Sequence, residues 1–364
     1  FNASPNDGWN AGHCICEDCR AWDHPEGELR SFGWQGLGQQ YAALSDRHVI
    51  FANHLADLLK REYPAQDYYV LMMAYGHSRP GPIDAVPADN VIIMSVANFM
   101  LAPDSKDRGS TTGKTHREEF ANWGKVTSNL IWRPNTPKKL ISMPLLPLSQ
   151  TMKDFRFVTE MDCIGIIIDG VWEHWATRGP LYYLMTQLAW DPRQDGGAIL
   201  EDYFHRGFGR AADEMRAYWQ FMEQKWRESR DGSIDVPELL DSGFFDKAYT
   251  LLDKAAAAVE SEPEKYRKRV KFVRVGLDYA RWLTKAREMM IRFEKSGGDD
   301  KAAEAEARRI WLEEIYPLAT SKAYPYAIRW GRTTPGGGHM KKGYGYYPDD
   351  LHKKGWTWWR EHGE

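Results

Sequence analysis

Four stretches of this chain are apolar from end to end over the length of a strand: 68–75 (YYVLMMAY), 91–100 (VIIMSVANFM), 129–132 (NLIW, after its leading Asn) and 164–168 (IGIII). A strand with one wet face alternates polar and apolar residues. A run apolar throughout belongs to a strand covered on both faces, which is the condition of a parallel sheet. Turn residues close the runs: Gly76 and Pro80 after the first, Pro134 after the third, Asp169-Gly170 after the last. The opening Phe1-Asn2-Ala3 reads as the tail of a further strand. Between them, 37–63 carries Tyr41, Leu44, His48, Phe51, Leu55 and Leu58 at three- and four-residue steps, the pattern of an amphipathic helix, with Pro64 just past its end. This alternation predicts the α/β class. About five strands are too few for a closed eight-stranded barrel. The expectation is therefore the C-terminal part of a (β/α)8 TIM-type barrel, with earlier strands upstream of Phe1, rather than an open sheet.

From Pro180 the pattern turns helical, over 180–190, 197–208 and 211–230. After a Gly/Pro-bearing stretch at 231–237, Tyr266, Val270, Val273, Leu277 and Trp282 mark a long amphipathic helix with partners near 238–259 and 301–316, an antiparallel bundle that serves packing by default. The domains read as a barrel region at 1–195, a helical domain at 196–330 and an aromatic, Gly-rich tail at 331–364. With 43% hydrophobic residues the chain can bury a core, and a net charge of −3 gives no reason to expect nucleic acid or an anionic membrane. No run of eighteen apolar residues occurs, so no membrane span is expected. The absence of G-x-G-x-x-G, P-loop, G-x-S-x-G and H-E-x-x-H patterns argues against nucleotide, triad-hydrolase and zincin chemistry, and no cofactor is expected.

Barrel enzymes keep their chemistry at the C-terminal ends of strands. Three acids fall there: Asp7, in Ser4-Pro5-Asn6-Asp7-Gly8 after the opening strand, and Asp169 and Glu173, in Asp169-Gly170-Val171-Trp172-Glu173-His174-Trp175 after the last. Glycosidic hydrolysis needs two carboxyl groups, one to protonate the leaving oxygen and one as nucleophile or base, ~5 Å or ~6.5–9.5 Å apart. The indoles flanking Glu173 would favour its protonated form, as a general acid requires. Each acid also has a plain structural use: Asp7 in an Asx-turn, Asp169 as the cap of a helix beginning near Thr177, Glu173 as a partner of Arg178. Sixteen Trp and 18 Tyr allow stacking on sugar rings, although most such residues fill cores. The candidate substrate contacts are Asn6, Trp9, Tyr75, His77, Trp132 as a stacking platform, Arg133, Asn135, Trp172, His174 and Trp175. The spacing Cys14-x-Cys16-x-x-Cys19 fits either a disulfide, Cys14 with Cys19 first, or three ligands of a structural zinc with His13 or His24 as the fourth. Cys163 begins a strand, at the opposite end from such a loop, and is a poor fourth ligand.

SPNDG followed by CICEDC, WGKVTSNLIW at 123–132, YYLMTQLAWDPRQD at 182–195 and DYFHRGFGRAADEMRAYW at 202–219 together resemble the bacterial family DUF4838 (domain of unknown function 4838), over roughly residues 1–225. That resemblance implies kinship with α-glucuronidases and endo-β-N-acetylglucosaminidases, a (β/α)8 barrel, export to the periplasm or beyond the cell, and oligo- or polysaccharide substrates. By motif match it points to Asp7 and to the loop around Asp169 and Glu173. The family pattern has Glu-Gln-Gly at the end of the last strand, where this chain has Ile168-Asp169-Gly170, so the acid is shifted or supplied by Glu173. The expected function is a glycoside hydrolase with a two-carboxylate mechanism, and an upstream segment or chain completing the barrel is an expected partner. Asp169 in place of the family's Glu-Gln favours an alternative, a non-catalytic glycan-binding protein with a degenerate barrel site. A zinc-stapled interaction module is a third reading.

Overall fold

The structure is a computed structural model that describes residues 1–4, 13–27, 29–31, 40–97, 99, 106–107, 111–134, 143–168, 174–228 and 236–328. The chain forms two compact units, Phe1–Pro137 with Gln150–Gly170, and Lys138–Ser149 with Val171–Glu364. In chain order, the first carries α1 (Glu17–Arg20), the antiparallel pair β1 (Leu29–Ser31) and β2 (Gln40–Ala42), α2 (Ser45–Glu62), β3 (Val70–Ala74) and β4 (Val91–Ser95). The antiparallel pair β5 (Lys106–Asp107) and β6 (Thr111–Thr112), α3 (Gly113–Gly124), β7 (Leu130–Trp132), most of α4 (Leu148–Glu160) and β8 (Gly165–Ile166) follow.

The four continuous apolar runs supply the main sheet, β3-β4-β7-β8, with every neighbouring pair parallel. The opening segment lies beside β3. Asn2 bridges Leu71 in parallel, the Leu71 N–H donates to the Phe1 carbonyl at 2.7 Å, and the Ala3 N–H donates to the Leu71 carbonyl at 2.8 Å. Register aligns Met72, Ile93 and Leu130 across the sheet, then Ala74, Ser95 and Trp132. All six are buried, and they share one face because side chains alternate along a strand. Aromatic rings from the helical layer cover that face: Phe99 stacks on Trp132 at 5.2 Å, Phe155 of α4 meets Trp132 edge-on at 5.3 Å, and Phe120 of α3 meets Phe99 edge-on at 5.3 Å. The opposite face presents Leu71, Met73, Ile92 and Ile131, which are apolar but only half-buried, and Met94, which is buried.

The described residues thus give a four-stranded parallel sheet with a bridging opening segment, within a largely helical chain. The helix expected over 37–63 begins at Ser45, because Gln40–Ala42 pairs with Leu29–Ser31 instead.

The second unit is helical: α5 (Trp175–Trp190), α6 (Gly196–Phe208), α7 (Ala212–Glu228), α8 (Val236–Leu239), α9 (Ser242–Ala258), α10 (Glu264–Lys295), α11 (Lys301–Arg309), a π-helical turn at Ile310–Ile315 and α12 (Tyr316–Ala319). Three of these helices start on an aspartate that accepts a backbone N–H of its own first turn: Asp195 from Ala198, Asp241 from Phe244 and Asp300 from Ala303. Nearly every residue of α5 from Ala176 to Met185 is buried, so α5 is the centre of the unit rather than a surface helix. The long α10 crosses α5 at Gly276, where a Cβ would lie 2.8 Å from the Ala176 carbonyl oxygen. Among the described residues no helix is long and apolar enough to cross a membrane.

Candidate functional site

Because the main strands are parallel, their carboxyl ends share one edge, and ligands of α/β sheets bind outside that edge. After β3 the chain makes a tight turn at Gly76–Ser78, with Gly76 in the left-handed region at φ 56° that residues with a Cβ rarely adopt. The buried Ser78 hydroxyl pins the turn, lying 3.3 Å from the Met73 carbonyl and 3.2 Å from that of Tyr75. Tyr75 and His77 sit on this turn. Arg133 leaves β7 at the same edge, its N–H donating to the Ser95 carbonyl at 2.9 Å. Ser4 ends the bridging segment there too, its hydroxyl accepting the Met73 N–H at 3.1 Å.

Of the residues singled out in the sequence, Tyr75, His77 and Arg133 are therefore brought together on one sheet edge. Trp132 is not a stacking platform. It is wholly buried on the helical side of the sheet, with Phe99 and Phe155 against its ring and its indole N–H donating to the Ala97 carbonyl at 2.9 Å. His174 and Trp175 belong to the second unit. His174 is fully buried and is the N-cap of α5 in a left-handed conformation, so α5 starts two residues before Thr177. Trp175 keeps 40% of its surface exposed and rests edge-on against Tyr182 at 5.0 Å. Asn6, Asp7, Trp9, Asn135, Asp169, Trp172 and Glu173 lie outside the described residues.

The first turn of α2 organises everything around the β3 end. The Leu44 N–H donates to the His77 carbonyl at 2.8 Å, and the Ser45 hydroxyl donates to the Pro80 carbonyl at 2.5 Å. Asp46 accepts the backbone N–H groups of Ile83, Asp84 and Ala85 at 3.0, 2.9 and 2.8 Å, which fixes the loop after β3. Arg47 reaches the other way. Its guanidinium grips Asp23 through two bonds of 2.7 and 2.5 Å and donates to the Cys14 carbonyl at 2.8 Å. Sequence reasoning passed over these residues. The signal available was Ser45-Asp46-Arg47-His48, four polar residues in a row at the head of an apolar-periodic stretch.

Three imidazoles adjoin this hub. The His13 and His77 rings stand 5.5 Å apart, and His48 follows Arg47 on α2. Burial pushes His77 down to about 4, with His13 adding to the effect. Burial likewise lowers His48 to about 4, reinforced by Arg47 and His77. His13 is lowered by burial and then by Arg47. All three are neutral at pH 7, so the edge offers hydrogen-bonding imidazoles rather than cations.

The cysteine loop lies beside them. The Sγ atoms of Cys14, Cys16 and Cys19 all fall within 4.8 Å of one another, and the Cys14 thiol points at Cys16 Sγ at 3.4 Å. The Cys19 backbone N–H, then the neighbouring thiols, bring Cys16 down to about 7, while hydrogen bonding to Cys14 and Cys16 takes Cys19 up to about 11. His24 does not join them: its Nε2 bonds Asp84 at 3.1 Å and its Nδ1 accepts the Glu26 N–H at 3.1 Å. Cys163 sits at the amino end of β8, its thiol against the carbonyls of Leu130 and Gly165.

A family model described as "Domain of unknown function (DUF4838)" matches residues 1–220. The chain belongs to the DUF4838 family. No curated protein and no solved structure matches it. The DUF4838 match takes in the main sheet, the α2 hub, the cysteine loop, α5 and α6, and ends inside α7, leaving α8–α12 beyond it.

Proposed function

We propose that this chain is a glycoside hydrolase acting on an oligo- or polysaccharide, and that its sheet is part of a (β/α)8 barrel. The observation that carries the reading is the sheet order: β3, β4, β7 and β8 are parallel and adjacent in chain order, so Tyr75, His77, Arg133 and the exit of Ser4 gather at one edge. Such an order has no reversal point. Right-handed crossovers then lay the helices on the same face, and among the described residues Leu71, Met73, Ile92 and Ile131 of the other face stay only half-buried. Closure of the sheet into a barrel buries that face. In sequence Asp7 follows Ser4 by three residues, and Asp169 and Glu173 follow Ile168 by one and five, so all three acids come after strand ends, which supports reading them as the carboxyl groups. Glu173 is the general acid and Asp7 or Asp169 the second carboxylate. Neutral His77 and Arg133 bond sugar hydroxyls. Export from the cytoplasm belongs to the same reading.

The test is turnover by the full-length protein on a glycan panel, with Glu173→Gln beside it. Natural glycosides are expected to lose ~10²–10⁴-fold in turnover in the variant, whereas a substrate with a highly acidic phenol leaving group, which needs little protonation, loses far less. Equal losses on both substrates would remove Glu173 from the acid role. Saturable glycan binding with no product on any substrate would make the chain a glycan-binding protein instead.

A further inference from the structure

We propose that Cys14, Cys16 and Cys19 form a binding site for one thiophilic divalent cation, zinc by preference, held by three thiolates with the fourth position filled by water. The inference does not rest on the glycosidase reading.

Geometry comes first. Zinc bound by thiolates at about 2.3 Å in a tetrahedral site brings its sulfurs to about 3.8 Å from one another. Here three Sγ atoms already lie within 4.8 Å of one another, one pair at 3.4 Å. The local fold explains the convergence. Cys16 is the N-cap of α1 and Cys19 lies three residues on, so both side chains fall on one side of a single turn, and Cys14 comes back to them from the preceding extended chain. The number of thiols matters as well. A disulfide would employ two sulfurs and strand the third in the same place, whereas one cation employs all three.

Among the described residues 13–27 none is buried, so backbone hydrogen bonds within the segment are not backed by a core. No residue of α1 is buried. From outside, the segment is held by Arg47 on Asp23 and on the Cys14 carbonyl, by His24 on Asp84, and by the Trp22 ring edge-on to His54 at 5.2 Å. Short segments without a core are commonly held by cross-links or metals. Three thiolates around a divalent cation carry one net negative charge, and the Arg47 guanidinium, paired with Asp23, donates to the Cys14 carbonyl at 2.8 Å beside them. Among the described residues no other His, Cys, Asp or Glu places a ligand atom within 4.8 Å of all three sulfurs, which is why water takes the fourth position. Binding converts three thiols to thiolates and releases their protons to solvent. Soft sulfur donors select zinc over magnesium or calcium.

The experiment uses the full chain, reduced and stripped with a chelator, then titrated anaerobically with cobalt(II) and with zinc. Native mass spectrometry and near-ultraviolet absorption provide the readouts. One metal per chain is expected, with a sulfur-to-cobalt charge-transfer band that zinc abolishes. Cys14→Ser, Cys16→Ser and Cys19→Ser should each reduce that band and weaken zinc binding by more than ~10-fold, the loss that even a supporting partner of a ligand can cause. Cys163→Ser should leave both unchanged. Because the wild-type titration needs no variant, a substitution that fails to fold does not protect the proposal. Absence of the band in the reduced wild type would overturn it, as would equal affinity in the Cys14→Ser chain, or an as-isolated mass short by one hydrogen pair with no metal uptake after reduction.

Discussion

His48 occupies an unusual position for a titratable group. It follows Arg47 directly, and its Nδ1 is buried without a hydrogen-bond partner among the described residues. Its folded value near 4 lies below its unfolded value of 6.5. The folded state therefore holds fewer protons than the unfolded state between those values, and the stability present above pH 6.5 is lost as pH falls toward 4. His48→Gln removes that titration. The stability difference between wild type and variant in urea melts should be flat above pH 6.5 and shift against the wild type below it, by at most about 1.4 kcal/mol per pH unit. The carboxyl of Asp154, raised to about 6 by burial against the opposing pull of Arg117, works in the other direction, and subtraction of the two curves cancels it. A difference that stays flat to pH 4 would mean that His48 is not held neutral.

The crossing of α10 and α5 is decided by a single missing side chain. A Cβ on Gly276 would sit 2.8 Å from the Ala176 oxygen and 2.9 Å from its carbonyl carbon, and backbone cannot swing aside as a side chain can. Gly276→Ala should therefore destabilise the chain by about 1–3 kcal/mol in denaturant melts despite the better helix propensity of alanine. Gly207→Ala, near the end of α6 with nothing within 4 Å of the new Cβ, should stabilise it by up to about 1 kcal/mol. If the two substitutions behave alike, close approach is not what Gly276 provides. The same scale shows what could be read in advance. Continuous apolar runs identified β3, β4, β7 and β8, because a strand buried on both faces needs no alternation. For the same reason they concealed which way Trp132 points: when both faces are apolar, periodicity carries no sign. The start of α2 was hidden differently, since Tyr41 and Leu44 fit a helical step while the chain at Gln40–Ala42 pairs as a strand. Asp46 and Arg47 were illegible because their partners, the loop at Ile83–Ala85 and the residues Asp23 and Cys14, are brought to them only by the tertiary fold.

At the scale of the whole chain the two units alternate along the sequence. Lys138–Ser149 belongs with the helical unit although Gln150–Gly170, which follows it, returns to the sheet. Met143, Leu145 and Leu146 in that excursion are buried to 2% exposure or less. Leu146→Ala should cost about 2–5 kcal/mol. Hydrogen exchange should show the loss in α5–α10 before it appears in β3 and β4, and the reverse order would assign the excursion to the sheet. This alternation also sets a schedule for the chain as it is made. The four strands have emerged by Gly170, but the excursion at 138–149 belongs with helices made later, and Glu223 of α7, which accepts the Ser149 N–H at 2.7 Å, is more than fifty residues further on. At about 5–20 residues per second that delay is on the order of several seconds. Throughout it, the nascent chain carries these strands along with a bare run of Met and Leu. A holdase that shields such a run would therefore find its substrate here in a half-made molecule, at a site that the completed one no longer shows.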